Sequence, residues 1–137
     1  LFAVRLVEGQ ASHMGRLEVL YDGVWGTVCG WTFGKAEAMV ACRSMGYDDG
    51  QLLPLGAPNP KSDIGPIWLD GVSCYGDEWA LEMCYHNGYG RVRYDCTHKW
   101  DAWLDCFAEN ENHNVIDVEG IEEETNQIEG FEEIFGN

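Results

Sequence analysis

Six cysteines constrain the fold of this chain more than any other feature of its 137-residue sequence. They are widely spaced, no two form a C-x-x-C motif, and no histidine lies three to five residues from another. An even cysteine count without a metal-ligand pattern predicts three disulfides in an oxidising compartment, and therefore a secreted or extracellular protein. Spacing alone does not choose among the possible pairings. The cysteines are Cys29, Cys42, Cys74, Cys84, Cys96 and Cys106.

The charge divides the chain into two segments. The formal net charge is −16; residues 1–107 hold all eight Lys and Arg with fourteen acids, and residues 108–137 hold ten acids and no base. We predict a domain over 1–107 and an acidic tail or linker over 108–137. Nucleic acid and anionic membranes need a basic surface and are poor partners, and no apolar run reaches the roughly 18 residues that membrane insertion needs. A protein surface with a basic face is the expected partner.

Short alternating segments indicate several strands and few helices. Residues 15–29 read as a hairpin around an Asp-Gly turn, and the spacing of Ala36, Met39 and Val40 predicts one main helix ended by Gly46. A shorter helical turn is expected over 77–84. These patterns predict an α+β domain. Further strands are expected over 4–9, 67–74 and 101–106.

Five collinear motifs resemble the scavenger receptor cysteine-rich family, in its six-cysteine group. They are "VRLVEG", "GRLEVLYDGVWGTVC", "MVACRSMGY", "GPIWLDGVSCYGDE" and "HKWDAWLDC", and together they span residues 4–107. The resemblance implies a curved antiparallel sheet that cradles the main helix over 35–45, with a short second helix. It also implies the disulfides Cys29–Cys96, Cys42–Cys106 and Cys74–Cys84.

The resemblance also raises the question of calcium, because many members bind it through acids after the first cysteine and one later glutamate. Here Gly30, Trp31 and Gly34 occupy the acidic positions, and only Glu78 remains. Calcium prefers several oxygen ligands with converging carboxylates. We therefore expect no cofactor and no metal site. Glu78 is the one residual candidate for a calcium ligand, and its alternative interpretation is a solvated acid.

Aromatic and basic residues are the candidates for ligand binding within the domain. Trp31 and Trp100 suit an aromatic contact surface, since tryptophan is enriched in binding hot spots. The alternative interpretation of Trp31 and Trp100, as of Trp103, is that they pack in a small core. Arg91 and Arg93 alternate along one stretch and are candidates to bind an anionic group. The alternative is that they are solvated or pair with local acids.

The tail carries an apolar stripe among its acids. The stripe comprises Ile128, Phe131, Ile134 and Phe135, and Glu132 and Glu133 stand inside it. The segment "GFEEI" resembles the acidic tail of hirudin, which implies a basic exosite on a thrombin-like protease as a partner. Residues 131–135 are therefore further ligand-binding candidates, and the alternative is a solvated linker.

The sequence favours binding over catalysis. It contains no G-x-S-x-G, no H-E-x-x-H and no glycine-rich phosphate loop. We predict an extracellular, non-catalytic module that recognises a protein or cell-surface ligand. A tail-driven inhibitor of a basic exosite and a structural matrix component are the alternatives.

Overall fold

The computed structural model describes residues 3–56 and 65–108. Six strands, one α-helix and two single turns of 3₁₀ helix make up this part of the chain. The strands are β1 (Ala3–Glu8), β2 (Met14–Tyr21), β3 (Val24–Val28), β4 (Asp49–Leu52), β5 (Ile67–Leu69) and β6 (Trp103–Phe107). The helix is α1 (Lys35–Ser44), and the 3₁₀ turns are Leu81–Met83 and His98–Trp100.

The sheet is organised around β2, its longest strand. Strand β1 pairs with β2 over its whole length, whereas β6 pairs with residues 14–16 of β2 and β3 pairs with residues 18–21. Asp22 and Gly23 join β2 to β3 with φ angles of 53° and 76°. Two positive φ values fit the tight hairpin turn that the Asp-Gly pair predicts.

One pair of strands departs from the expected antiparallel sheet. Strands β3 and β5 run parallel, so the sheet is mixed. A hairpin turn can only reverse the chain, but the connection between Val28 and Ile67 is long enough for a crossover that contains α1 and β4. Strand β4, which pairs antiparallel with β6, was not predicted, because its sequence "DGQL" reads as a turn.

Helix α1 agrees with the predicted main helix. The amide of Gly34 donates to Glu37 Oε1 (2.8 Å), which satisfies one of the free amides at the start of the helix. Gly46 ends it with a φ of 94°. The predicted second helix is shorter than expected, because only Leu81–Met83 forms a helical turn and residues 77–80 do not.

The disulfides have the pairing that the family resemblance implied. Cys42–Cys106 ties α1 to β6, Cys29–Cys96 ties the end of β3 to the loop before the second 3₁₀ turn, and Cys74–Cys84 closes a short loop. Between α1 and the sheet lies a core of fully buried side chains that includes Leu17, Val19, Val28, Val40 and Leu104.

Candidate functional site

Three of the four predicted domain residues lie together on one surface. The ring centroids of Trp31 and Trp100 are 5.8 Å apart. The guanidinium of Arg93 lies 4.6 Å from the centre of the Trp31 ring, and the Lys99 ammonium lies 5.1 Å from that of Trp100. We call these four residues the Trp31 face. Cations over aromatic rings are attracted by the negative ring faces, so the face is a row of cation, ring, ring and cation.

The two arginines differ in their surroundings. The backbone amide of Arg93 donates to Asp70 Oδ2 (2.9 Å), and its Nε lies 3.5 Å from the same oxygen. Arg93 is therefore paired with a local acid, which was its alternative interpretation. Arg91 is exposed, and in the described part of the chain its guanidinium contacts none of the rings of the Trp31 face.

Trp103 is a core residue and not part of a surface. It lies on β6 and is buried, with the guanidinium of Arg16 5.6 Å from its ring centre. The packing alternative is thus correct for Trp103, while Trp31 and Trp100 are only half-buried.

A second surface was not predicted from the sequence. It is formed by residues 73–85, which we call the Cys74 loop, and helix α1 holds this loop in place. Arg43 donates to the carbonyls of Gly76 (2.9 Å) and Glu78 (3.0 Å). Glu37 Oε2 accepts from the amide of Cys74 (2.9 Å), and Ser44 Oγ accepts from the amide of Leu81 (2.8 Å). The disulfide Cys74–Cys84 and a two-bond bridge between Ser73 and Tyr85 close its base.

The Cys74 loop exposes large apolar side chains although its backbone is fixed. The exposed fractions are 95% for Tyr75, 78% for Trp79, 59% for Met83 and 69% for Tyr85. A groove of about 400 Å³ runs beside the disulfide and is lined by Tyr75, Glu78, Met83 and Tyr85 among others. Side chains of this type are enriched at the centres of protein interfaces.

The carboxylate of Glu78 accepts hydrogen bonds from the loop backbone. Its Oε2 accepts from the amide of Tyr75 (2.8 Å) and its Oε1 from that of Gly76 (2.8 Å). The hydrogen bond from the Tyr75 amide is the largest of the causes that lower the pKa of Glu78 below its usual value. In the described residues, Glu78 falls in one group of three possible metal ligands, with Cys74 and Cys84.

That group does not fit calcium. Cys74 and Cys84 are bonded to each other and offer no thiolate, and both oxygens of Glu78 already accept amide protons. Gly30 and Gly34 have no side-chain oxygen, and the Trp31 ring packs against Arg93. Calcium requires about six to eight oxygen ligands, which this set does not supply.

The arrangement closest to a catalytic site in the described residues is structural. His98 Nδ1 lies 2.9 Å from Asp101 Oδ2 and 3.3 Å from Thr27 Oγ1, and His98 Nε2 lies 2.7 Å from the carbonyl oxygen of Gly65. In a catalytic triad the hydroxyl and the carboxylate contact opposite ring nitrogens. Here both contact the same nitrogen, a carbonyl occupies the other, and Thr27 is fully buried. Burial raises the pKa of Asp101.

The comparison with protein families decides the identity of the domain. Residues 7–107 match the model of the scavenger receptor cysteine-rich domain, which is most of the chain. The chain belongs to this family. Domains of the family are typically extracellular binding modules, are generally non-catalytic, and occur in secreted proteins and membrane receptors. In the described residues, no helix is long and apolar enough to cross a membrane.

Two curated proteins are similar to this chain in sequence. The chain is 43% identical over 113 residues to lysyl oxidase homolog 4 of Bos taurus and 42% identical over 108 residues to CD5 antigen-like of Homo sapiens. These matches cover 82% and 77% of this chain but only 14% and 30% of the relatives.

Solved structures show the same fold. The third scavenger receptor cysteine-rich domain of murine neurotrypsin superposes with a TM-score of 0.66 at 36% identity, covering 77% of this chain and 96% of that one. The domain of mouse MARCO, solved in a dimeric form, gives a TM-score of 0.59 at 37% identity, covering 75% and 93%.

The predicted contact residues of the tail lie outside the described residues. They are Phe131, Glu132, Glu133, Ile134 and Phe135. Their role, the division at residue 107 and the exosite hypothesis stay predictions from the sequence.

Proposed function

We propose that this chain is an extracellular, non-catalytic module that recognises a protein or cell-surface ligand with a basic face. The observation that carries the proposal is the exposure of Tyr75, Trp79, Met83 and Tyr85 on a loop that a disulfide and helix α1 hold rigid. A rigid surface loses little conformational entropy on binding, so its apolar contacts contribute more fully to affinity.

The net charge supports a basic face on the partner. A charge of −16 attracts basic proteins over several ångströms and accelerates their encounter at low salt. The Trp31 face is a second candidate contact surface, and its two cations favour an anionic group. Arg93 is partly engaged by Asp70, and this reduces the positive charge that the face offers.

Capture from extracellular fluid tests the proposed function. The full chain is immobilised, bound proteins are cross-linked and identified, and each is then purified and titrated against the chain. We expect saturable binding by a protein with a basic patch, with an association rate that falls as salt rises. If no purified protein or surface binds saturably, the proposed function is wrong.

We also propose that this module works without calcium at the Glu78 position, because the ligand set there does not fit the ion. Titration of the full chain with calcium in a calorimeter is compared with that of the Glu78→Gln variant. The two heats should match, since any diffuse attraction to the tail is common to both. A saturable site present in the wild type and lost in the variant would contradict the proposal.

A further inference from the structure

The Cys74 loop combines exposed apolar side chains with charge of a single sign. Residues 73–85 include three acids, of which Asp77 and Glu82 are exposed, and they include no Lys or Arg. Glu78 is negatively charged at neutral pH, and the hydrogen bond from the Tyr75 amide is the first cause that lowers its pKa further. Tyr75, Trp79 and Met83 are therefore interspersed with carboxylates, and no base of the loop neutralises them.

The groups around the loop offset only part of this charge. The guanidinium of Arg43 donates to two loop carbonyls from the side of α1, and its positive charge also acts on Glu78, whose pKa it helps to lower. His86 follows the loop directly, and burial lowers its pKa, which favours the neutral ring at physiological pH. The face presented to solvent is thus aromatic and acidic.

We infer that the Cys74 loop is the docking surface of this module, and that it binds a protein segment in which lysine or arginine side chains alternate with aliphatic ones. The inference rests on the proposed function and adds the surface and the chemistry of the partner. The aliphatic side chains would enter the groove between Tyr75, Met83 and Tyr85. The basic side chains would pair with Asp77 and Glu82. Such pairing at the rim of an apolar contact gives register and specificity.

The exposure of its side chains distinguishes the Cys74 loop from the Trp31 face. In the Trp31 face the rings and cations contact one another, so a ligand must displace contacts that already exist. The side chains of Tyr75 and Trp79 are mostly exposed to water, and covering them removes apolar area from solvent without that loss.

The test uses the full chain, labelled with ¹⁵N, and three synthetic peptides. The first alternates Lys with Leu, the second replaces Leu by Ser, and the third replaces Lys by Glu. Amide shifts of the chain are followed during each titration. We expect the Lys/Leu peptide to shift the amides of residues 73–85, and the Lys/Ser peptide, which has the same charge, to shift them far less. The Glu/Leu peptide should leave them unchanged.

Variants separate the loop from general charge attraction. Trp79→Ser should weaken the Lys/Leu peptide by about tenfold, the loss typical of an interface hot spot. Tyr94→Ser is the matched control, because Tyr94 is 97% exposed but lies outside the loop, and it should bind like the wild type. Asp77→Asn should reduce the affinity more than Asp95→Asn, which also removes an exposed acid but outside the loop.

Two results would overturn the inference. One is that the Lys/Leu and Lys/Ser peptides shift residues 73–85 equally, which would mean charge attraction alone. The other is that the largest shifts fall on the Trp31 face and Trp79→Ser changes nothing. Either result leaves the proposed function intact if a captured protein still binds the chain saturably. Failure of the docking inference can therefore be told apart from failure of the proposed function.

Discussion

Removal of the Cys74–Cys84 disulfide should destabilise the domain less than removal of either other disulfide. In the chain-entropy model the stabilisation grows with the loop that a bond closes. Cys74 and Cys84 are separated by 10 positions, which gives about 2.7 kcal/mol at 25 °C. Cys42 and Cys106 are separated by 64 positions, which gives about 4.3 kcal/mol.

The assay is urea unfolding of two double variants, Cys74→Ser/Cys84→Ser and Cys42→Ser/Cys106→Ser, followed by tryptophan fluorescence. The free energy of unfolding should fall by about 3 kcal/mol in the first and by about 4 kcal/mol or more in the second. Cys42 and Cys106 are also fully buried, so the serine hydroxyls that replace them add to the loss. If the first variant loses more stability than the second, loop length does not decide the contribution of these disulfides and the reasoning is wrong.

Two further predictions concern the pH dependence of stability. Glu78→Gln should remove a stabilisation that the wild type has above pH 4.5 and loses as the pH falls through the lowered pKa of Glu78. The cause is that the amides of Tyr75 and Gly76 favour the charged carboxylate. Urea midpoints of both proteins, measured from neutral to acid pH, test this, and parallel curves would contradict it. Asp101→Asn should show the opposite sign: burial raises the pKa of Asp101, so the wild type gains most over the variant below pH 3.8 and loses that gain as the pH rises through the raised pKa. An advantage of the wild type that grows with pH would refute the second prediction.

Local sequence patterns predicted the class and the main elements, whereas the family resemblance implied the sheet around the helix and the disulfide pairing. The hairpin, the main helix and the class follow from local signals such as Asp22–Gly23 and Gly46. The parallel pairing of β3 and β5 does not, because it depends on a crossover between residues far apart in the chain. Strand β4 was missed since its pairing with β6 outweighs the turn preference of Asp-Gly.

The candidate surfaces were predictable in part. Trp31 and Arg93 come together because they flank the bonded Cys29 and Cys96, and the implied pairing was a signal for their proximity. Trp79 was missed because it lies in a segment that reads as a helical turn, where an apolar residue suggests a buried face. The structure instead has a helical turn only at Leu81–Met83, and Trp79 is left in water.

Whether the Cys74 loop is the docking surface is best measured by the affinity of one captured and purified partner for the full chain and two tryptophan variants. Trp79→Ser removes the exposed indole of the Cys74 loop, and Trp31→Ser removes one of the two indoles of the Trp31 face. We predict that Trp79→Ser raises the Kd by about tenfold or more, whereas Trp31→Ser changes it by less. Wild-type affinity in Trp79→Ser together with a large loss in Trp31→Ser would mean that the partner binds the Trp31 face and not the Cys74 loop.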